Sequence, residues 1–200
     1  MTEQLYHEKQ TGTLCAIHAA NNLLGERVFT LQDFQTIKKE LAVEDELGRC
    51  ACCLQCLPTC CCRRCRQGTE GNFDANVVTV ALSKRKIELN FWDARNIDTS
   101  AILRVMRSDK CVGALINQQA GYHNCITSFI LRSLAFFFGR NGHWVALRKE
   151  NNNQFVDLNS QLQAPNIYNG DHEMNDFLLR HLRSGSHILI ATLKTEQDSN

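Results

Sequence analysis

Two hundred residues, 44% of them hydrophobic and 22% charged, describe an ordinary globular chain and exclude a disordered or fibrous one. A chain of this length buries roughly 70% of the surface its unfolded form exposes, so its core needs no disulfide or metal staples and a disulfide miniprotein is excluded. Twenty-two Lys and Arg against twenty-one Asp and Glu leave a formal charge of +1, which provides no broad field for drawing in nucleic acid or an anionic membrane.

The opening stretch from Met1 to Gln10 lacks the apolar core of a signal peptide. The eleven cysteines are an odd number, which does not suit a fully paired secreted framework. The expected compartment is therefore the reducing cytoplasm, with or without the nucleus. Leu14 to Leu24, closed by Gly25, reads as a buried helix. Thr30 with Asp33 opens a second helix, which puts Leu31, Phe34, Ile37 and Leu41 on one face. The stretch from Cys50 to Cys65 then breaks all periodicity, holding eight of the eleven cysteines with Arg63, Arg64 and, just beyond, Arg66. Asn72 or Asp74 caps a helix through Val77, Val78, Ala81 and Leu82, and Glu88 to Trp92 follows as a strand. A helix capped by Thr99 or Ser100 covers Ile102, Leu103 and Met106, and the apolar run Cys111 to Ile116 is a central-strand candidate.

A second interruption lies between Gln118 and Gly142. Its apolar centre, Cys125 to Phe138, is too short to span a bilayer and carries Arg132, so no transmembrane segment is expected. His143 to Lys149 and Gln154 to Leu158 flank Asn151-Asn152-Asn153 and form a hairpin, because Asn tolerates the positive φ of tight turns. Glu173 to Arg183 is an amphipathic helix ended near Gly185, and His187 to Leu193 is the last strand. Neither repeats nor a Pro-rich linker divides the chain, since Pro58 and Pro165 are its only prolines. The expectation is an α+β fold with one catalytic domain over 5–193, insertions at 50–67 and 118–142, and a tail at 194–200.

The polar residues that stand out are Gln10, Cys15, His18, His143, Asp157 and Asn159. A thiol nucleophile needs a base, a group that orients the base's ring, and donors for the oxyanion. Cys15 follows the Thr11-Gly12-Thr13 loop and opens a helix, where the dipole and free N–H groups favour the thiolate, so a depressed pKa is expected. His143, at the start of a strand, is the base. If Asn151 to Asn153 form a three-residue loop, Glu150 faces Gln154 and Asn159 lies diagonally beside His143 on the same side of the sheet. A two-residue loop would turn Asn159 to the opposite face. Asp157 shares its parity and is the reserve orienter. His18, on the nucleophile's own helix, reads as structural; Asn21 and Asn22 are unassigned.

Tyr6-His7-Glu8-Lys9-Gln10, Leu14-Cys15-Ala16 with His18, and Asn21-Asn22-Leu23-Leu24 resemble the opening of the Josephin family of deubiquitinating cysteine proteases. Gly71-Asn72-Phe73-Asp74 with Val77-Val78, then His143-Trp144-Val145-Ala146-Leu147-Arg148, then Asp157-Leu158-Asn159-Ser160 extend the resemblance in the same order. It implies a papain-like α+β fold that cleaves the isopeptide or peptide bond after the C-terminal glycine of ubiquitin, without cofactor or metal. It maps the nucleophile to Cys15, the base to His143, the orienter to Asn159 and the side-chain oxyanion donor to Gln10. It also implies a helical arm over the ubiquitin tail, corresponding to residues 31 to 67. Ubiquitin and ubiquitinated proteins are the implied partners, and the oligomeric state is open.

The cysteine run keeps several readings. Cys53-x-x-Cys56 and Cys62-x-x-Cys65 have zinc-ligand spacing, but zinc knuckles usually separate their pairs further. Cysteines beside arginines are also acylation sites. The leading reading is a variable or aberrantly spliced insertion without a fixed fold, and three arginines are too few to bind nucleic acid. The functional alternative to a hydrolase is a catalytically impaired ubiquitin-binding module or a Cys-rich metal-binding interaction protein.

Overall fold

The computed structural model describes residues 5–44, 73–93, 95, 97–118, 142–150 and 154–194. Among these are five helices and six strands: α1 (Cys15–Leu24), α2 (Leu31–Glu44), α3 (Ala75–Ser83), β1 (Ile87–Phe91), α4 (Thr99–Met106), β2 (Cys111–Gln118), β3 (His143–Lys149), β4 (Phe155–Asp157), β5 (Asn166–Tyr168), α5 (Asp171–Arg183) and β6 (His187–Leu193). The strands form one sheet in the order β1-β6-β2-β3-β4-β5, with every neighbouring pair antiparallel. The architecture is the expected α+β.

The sheet separates two apolar layers. Ile17, Leu23, Phe34, Val78 and Leu82, from α1 to α3, pack with Leu115, Trp144, Ala146 and Leu189 on one side. Ile102, Met106, Phe177 and Leu178, from α4 and α5, pack with Ala114, Ile116, Val145, Leu147 and Ile188 on the other. Alternate residues of β2 and β3 thus enter opposite cores, which is why both read as apolar runs rather than as alternating patterns. The helices therefore cover both faces of the sheet.

Local chemistry sets the helix ends. The Thr30 and Asp33 side chains cap each other's backbone, with Thr30 N–H donating to Asp33 Oδ2 at 2.8 Å and Asp33 N–H to Thr30 Oγ1 at 3.4 Å. Asp74 caps α3 by accepting from the N–H groups of Asn76 and Val77. The cap of α4 is Asp98, not Thr99 or Ser100; its Oδ1 accepts from Ala101 N–H at 3.0 Å. A carboxylate is a stronger acceptor than a hydroxyl at a helix's positive end, and the helix starts at Thr99, a residue or two earlier than a Thr99 or Ser100 cap would give.

Strand limits differ by a residue or two. β1 is Ile87–Phe91 rather than Glu88 to Trp92, and β2 extends to Gln118. β4 keeps only Phe155–Asp157, although Leu158 N–H still bonds Ala146 O at 2.8 Å. Helix α5 begins two residues earlier than expected, at Asp171. Strand β5 has no counterpart in the sequence reading, because three mostly exposed residues after Pro165 carry no periodicity. The cysteine run with its CxxC pairs and arginines, the apolar stretch Cys125 to Phe138, Asn72, the Asn151 to Asn153 turn and the tail beyond Lys194 lie outside the described residues. Among the described residues, no helix is long and apolar enough to cross a membrane.

Candidate active site

The β3–β4 pairing sets the site. Leu147 pairs with Asp157, Arg148 with Val156 and Lys149 with Phe155, and Glu150 N–H bonds Gln154 O at 2.8 Å. That is the register of a three-residue connection. It carries Asn159 beside His143, where His143 Nε2 and Asn159 Oδ1 are 2.8 Å apart. Gln161 N–H donates to the same Oδ1 at 3.0 Å, which identifies that atom as the amide oxygen. His143 Nε2 must then carry the hydrogen, so in the neutral ring Nδ1 holds the lone pair a general base needs.

Cys15 approaches from the opposite element. The turn before it needs Gly12, whose φ of +58° is in the left-handed region. Leu14, at the N-cap of α1, makes no side-chain capping bond, so the first amides of the helix are left without a cap. The N–H groups of Trp144, Ala16 and Cys15 lie around the Cys15 sulfur and favour its thiolate, and Trp144 is the residue after His143. The nucleophile candidate is therefore held at the strand end that begins with the base candidate. The depressed thiol pKa expected from this position does not hold. Burial pushes the Cys15 thiol up, and the three amides bring it only part of the way back.

The structure places Gln10 next to this turn but engages its side chain there. Its Nε2 donates to Gly12 O at 2.6 Å, and its Oε1 accepts from Ser160 Oγ at 3.4 Å. One of the two amide hydrogens is thus committed to the turn. Asp157 is buried, and its Oδ1 accepts from Asn159 N–H at 3.0 Å, so it holds the backbone of the orienter candidate. Burial drives its carboxyl above the ordinary range, against hydrogen bonds from Asn159 and Asn166 and the nearby His7 and His143. Both ring nitrogens of His18 are engaged elsewhere: Nε2 accepts from Thr11 N–H at 3.4 Å, which makes Nδ1 the donor to Glu8 Oε2 at 2.7 Å.

Several contributors carried no role in the sequence reading. Asn22 is fully buried; its Oδ1 accepts from Glu8 N–H at 2.6 Å and its Nδ2 donates to Leu158 O at 2.9 Å. Asn21 Oδ1 accepts from Val28 and Phe29 N–H at 3.1 and 2.8 Å. Burial raises the Glu8 carboxyl, but bonds from Tyr6, His18 and Asn21 outweigh it and leave the group below its ordinary value. His7 Nε2 lies 3.1 Å from Asn159 O. Asn21 and Asn22 showed in the sequence as polar side chains on a buried helix, and His7 and Glu8 only as part of the Tyr6 to Gln10 string that carried the resemblance; neither signal names their partners. No group of three or more His, Cys, Asp or Glu that could hold a metal occurs among the described residues.

The arrangement holds what thiol acyl-transfer chemistry needs: a sulfur at a helix start, an imidazole held by an amide oxygen, and backbone amides around the sulfur. Comparison with known proteins points the same way. The Josephin family profile matches residues 10–192. Josephin-2 of Mus musculus is 29% identical over 195 residues, covering 96% of this chain and 89% of that protein. Josephin-2 of Homo sapiens is 28% identical over the same length and coverage. A Josephin-like protein of Drosophila melanogaster is 28% identical over 203 residues, 99% of this chain and 77% of its own. With the profile spanning nearly its whole length, the chain belongs to the Josephin family.

Proposed function

We propose that the chain is a cysteine-type deubiquitinase that cleaves the isopeptide or peptide bond after the C-terminal glycine of ubiquitin, with ubiquitin and ubiquitinated proteins as its partners. Membership of the Josephin family supports a deubiquitinase-like function in general. The observation that carries the reading is the 2.8 Å His143–Asn159 bond at the strand end where the Trp144 amide meets the Cys15 sulfur.

In this reading the Cys15 proton passes to His143 Nδ1 as sulfur attacks the glycine carbonyl carbon. The oxyanion is met by the Cys15 N–H and by the second Gln10 amide hydrogen. Collapse of the tetrahedral intermediate breaks the C–N bond, and His143 gives its proton to the leaving amine. Water, deprotonated by His143, then hydrolyses the thioester and frees the ubiquitin carboxylate. Because burial keeps the thiol protonated at rest, proton transfer accompanies attack rather than preceding it. The nucleophile must be reduced, which suits the cytoplasm. One catalytic unit over 5–193, interrupted at 50–67 and 118–142, would carry the activity.

A ubiquitin bearing a C-terminal vinyl sulfone tests this directly. The wild-type chain is expected to form a covalent adduct at Cys15, and Cys15→Ala to lose both the adduct and hydrolysis of a ubiquitin C-terminal amide while still folding. A chain that binds ubiquitin but forms no adduct would instead be a docking module.

A further inference from the structure

We propose that His7 is a positioning residue that acts through Asn159, holding the turn that aims the Asn159 side chain at His143. Past Asp157, the chain leaves the regular ladder of the sheet, and the carbonyls of Leu158, Asn159 and Ser160 are each taken by a group from the N-terminal part of the chain. Asn22 Nδ2 donates to Leu158 O at 2.9 Å, His7 Nε2 bonds Asn159 O at 3.1 Å, and Gln10 N–H donates to Ser160 O at 2.9 Å. A carbonyl only accepts, so His7 Nε2 carries the hydrogen. Leu162 N–H occupies the other lone pair of Asn159 O at 2.9 Å. His7 therefore grips the peptide unit that bears the orienting side chain, while its neighbours grip the units on either side.

The grip is rooted. Glu8, next to His7, is bonded by Asn22 through both its backbone N–H and its carbonyl, and its carboxylate takes donors from Tyr6, His18 and Asn21. Residues 7 and 10 thus leave a fixed point on α1 and reach the same turn. The ionisable groups around that turn are His143 and Asp157, the latter within electrostatic reach of both His7 and His143. Losing the His7 bond leaves two of the three carbonyl clamps, so the expected effect is a loosened imidazole rather than a dead enzyme.

This inference rests on Cys15, His143 and Asn159 acting as a hydrolytic set, and two measurements separate its failure from the failure of that reading. The first is steady-state hydrolysis of a ubiquitin C-terminal fluorogenic amide by wild type, His7→Ala and His7→Gln. His7→Ala should lower kcat about tenfold, the scale of a slightly misplaced catalytic group, with KM within about twofold. His7→Gln, whose amide reaches a similar place and still donates, should recover most of the loss.

The second measurement needs no ubiquitin: the ¹⁵N chemical shifts of the His143 ring report its tautomer. They should show Nε2–H in wild type and His7→Gln, and a mixture in His7→Ala. Equal kcat in wild type and His7→Ala overturns the proposal, as does a loss in both variants with the His143 tautomer unchanged. A wild-type chain without hydrolysis or vinyl sulfone capture sinks the deubiquitinase reading alone, and an unchanged tautomer in His7→Ala then overturns the positioning role by itself.

Discussion

Asn159 and Asp157 sit two residues apart with the same parity, yet their surroundings give them different work. Asn159 Oδ1 meets the His143 ring at 2.8 Å, whereas Asp157 Oδ1 meets the Asn159 backbone. Removing the Asn159 amide should cost kcat about 10²-fold through the misaligned imidazole. Asp157→Asn should cost far less, because the new side-chain oxygen still accepts the Asn159 N–H. Stability should move the opposite way. Burial raises the folded-state pKa of Asp157, so the native state favours the protonated form and loses stability as pH rises past the ordinary carboxylate range. The neutral Asn escapes that loss. The Tm of Asp157→Asn relative to wild type should therefore climb between pH 4 and 7, measured by thermal melts across that range; a flat difference would mean that the carboxyl ionises without penalty. Contacts at the site were legible in the sequence where register arithmetic applied, as for Asn159 beside His143. The thiol was misjudged because the helix start is visible in the sequence and the burial of the sulfur is not.

Among the elements, α5 carries a second titration far from the thiol. His181 packs edge-on against Phe177, with ring centroids 4.5 Å apart, and burial, aided by the neighbouring Arg180 charge, lowers its pKa to about 4. An unfolded histidine titrates near 6.5 (about its free value), so protons bind the unfolded chain first as pH falls. The neutral ring's contribution to stability is complete above that pH and disappears as pH drops through about 4. His181→Phe should remove this slope, so denaturant midpoints at pH 7 and pH 4 should differ less in the variant than in wild type. An identical pH difference in both would assign acid sensitivity elsewhere. The helices were easier to foresee than the short strands, since α1, α2 and α5 each show an apolar stripe or a capping pair. Three-residue β5 has neither, and β4 was overextended because Leu158 continues the apolar run while only its amide continues the ladder. Helix α4 shows how a neighbouring acceptor overrides a hydroxyl: Asp98 takes the cap that Thr99 or Ser100 would otherwise fill.

At the scale of the whole molecule, the two interrupted stretches join elements whose places are set without them. Phe73, just before α3, packs its ring 5.0 Å from Phe34, and its carbonyl accepts from Trp144 Nε1 at 3.2 Å. The β2–β3 ladder runs unbroken from Gly113↔Arg148 to Gln118↔His143, so the base candidate is registered by the strands and not by the residues between them. Gly142 is pinned in the same way, since a Cβ there would fall on the Asn117 side chain and 2.8 Å from Gln118 O. Gln118 and His143 face each other as the ends of a hairpin do, and a two-residue Asn-Gly turn can close such a pair. Replacing 119–142 by Asn-Gly should therefore keep the fold and the Cys15 adduct with ubiquitin vinyl sulfone. Loop-closure entropy alone favours the short connection by about 2 kcal/mol, because each halving of a loop is worth about 0.6 kcal/mol. The denaturant midpoint should rise accordingly, with the m-value little changed. A fall in both midpoint and m-value would mean that the replaced residues bury surface of their own. Loss of the adduct with stability intact would place part of the ubiquitin-binding surface in the replaced segment.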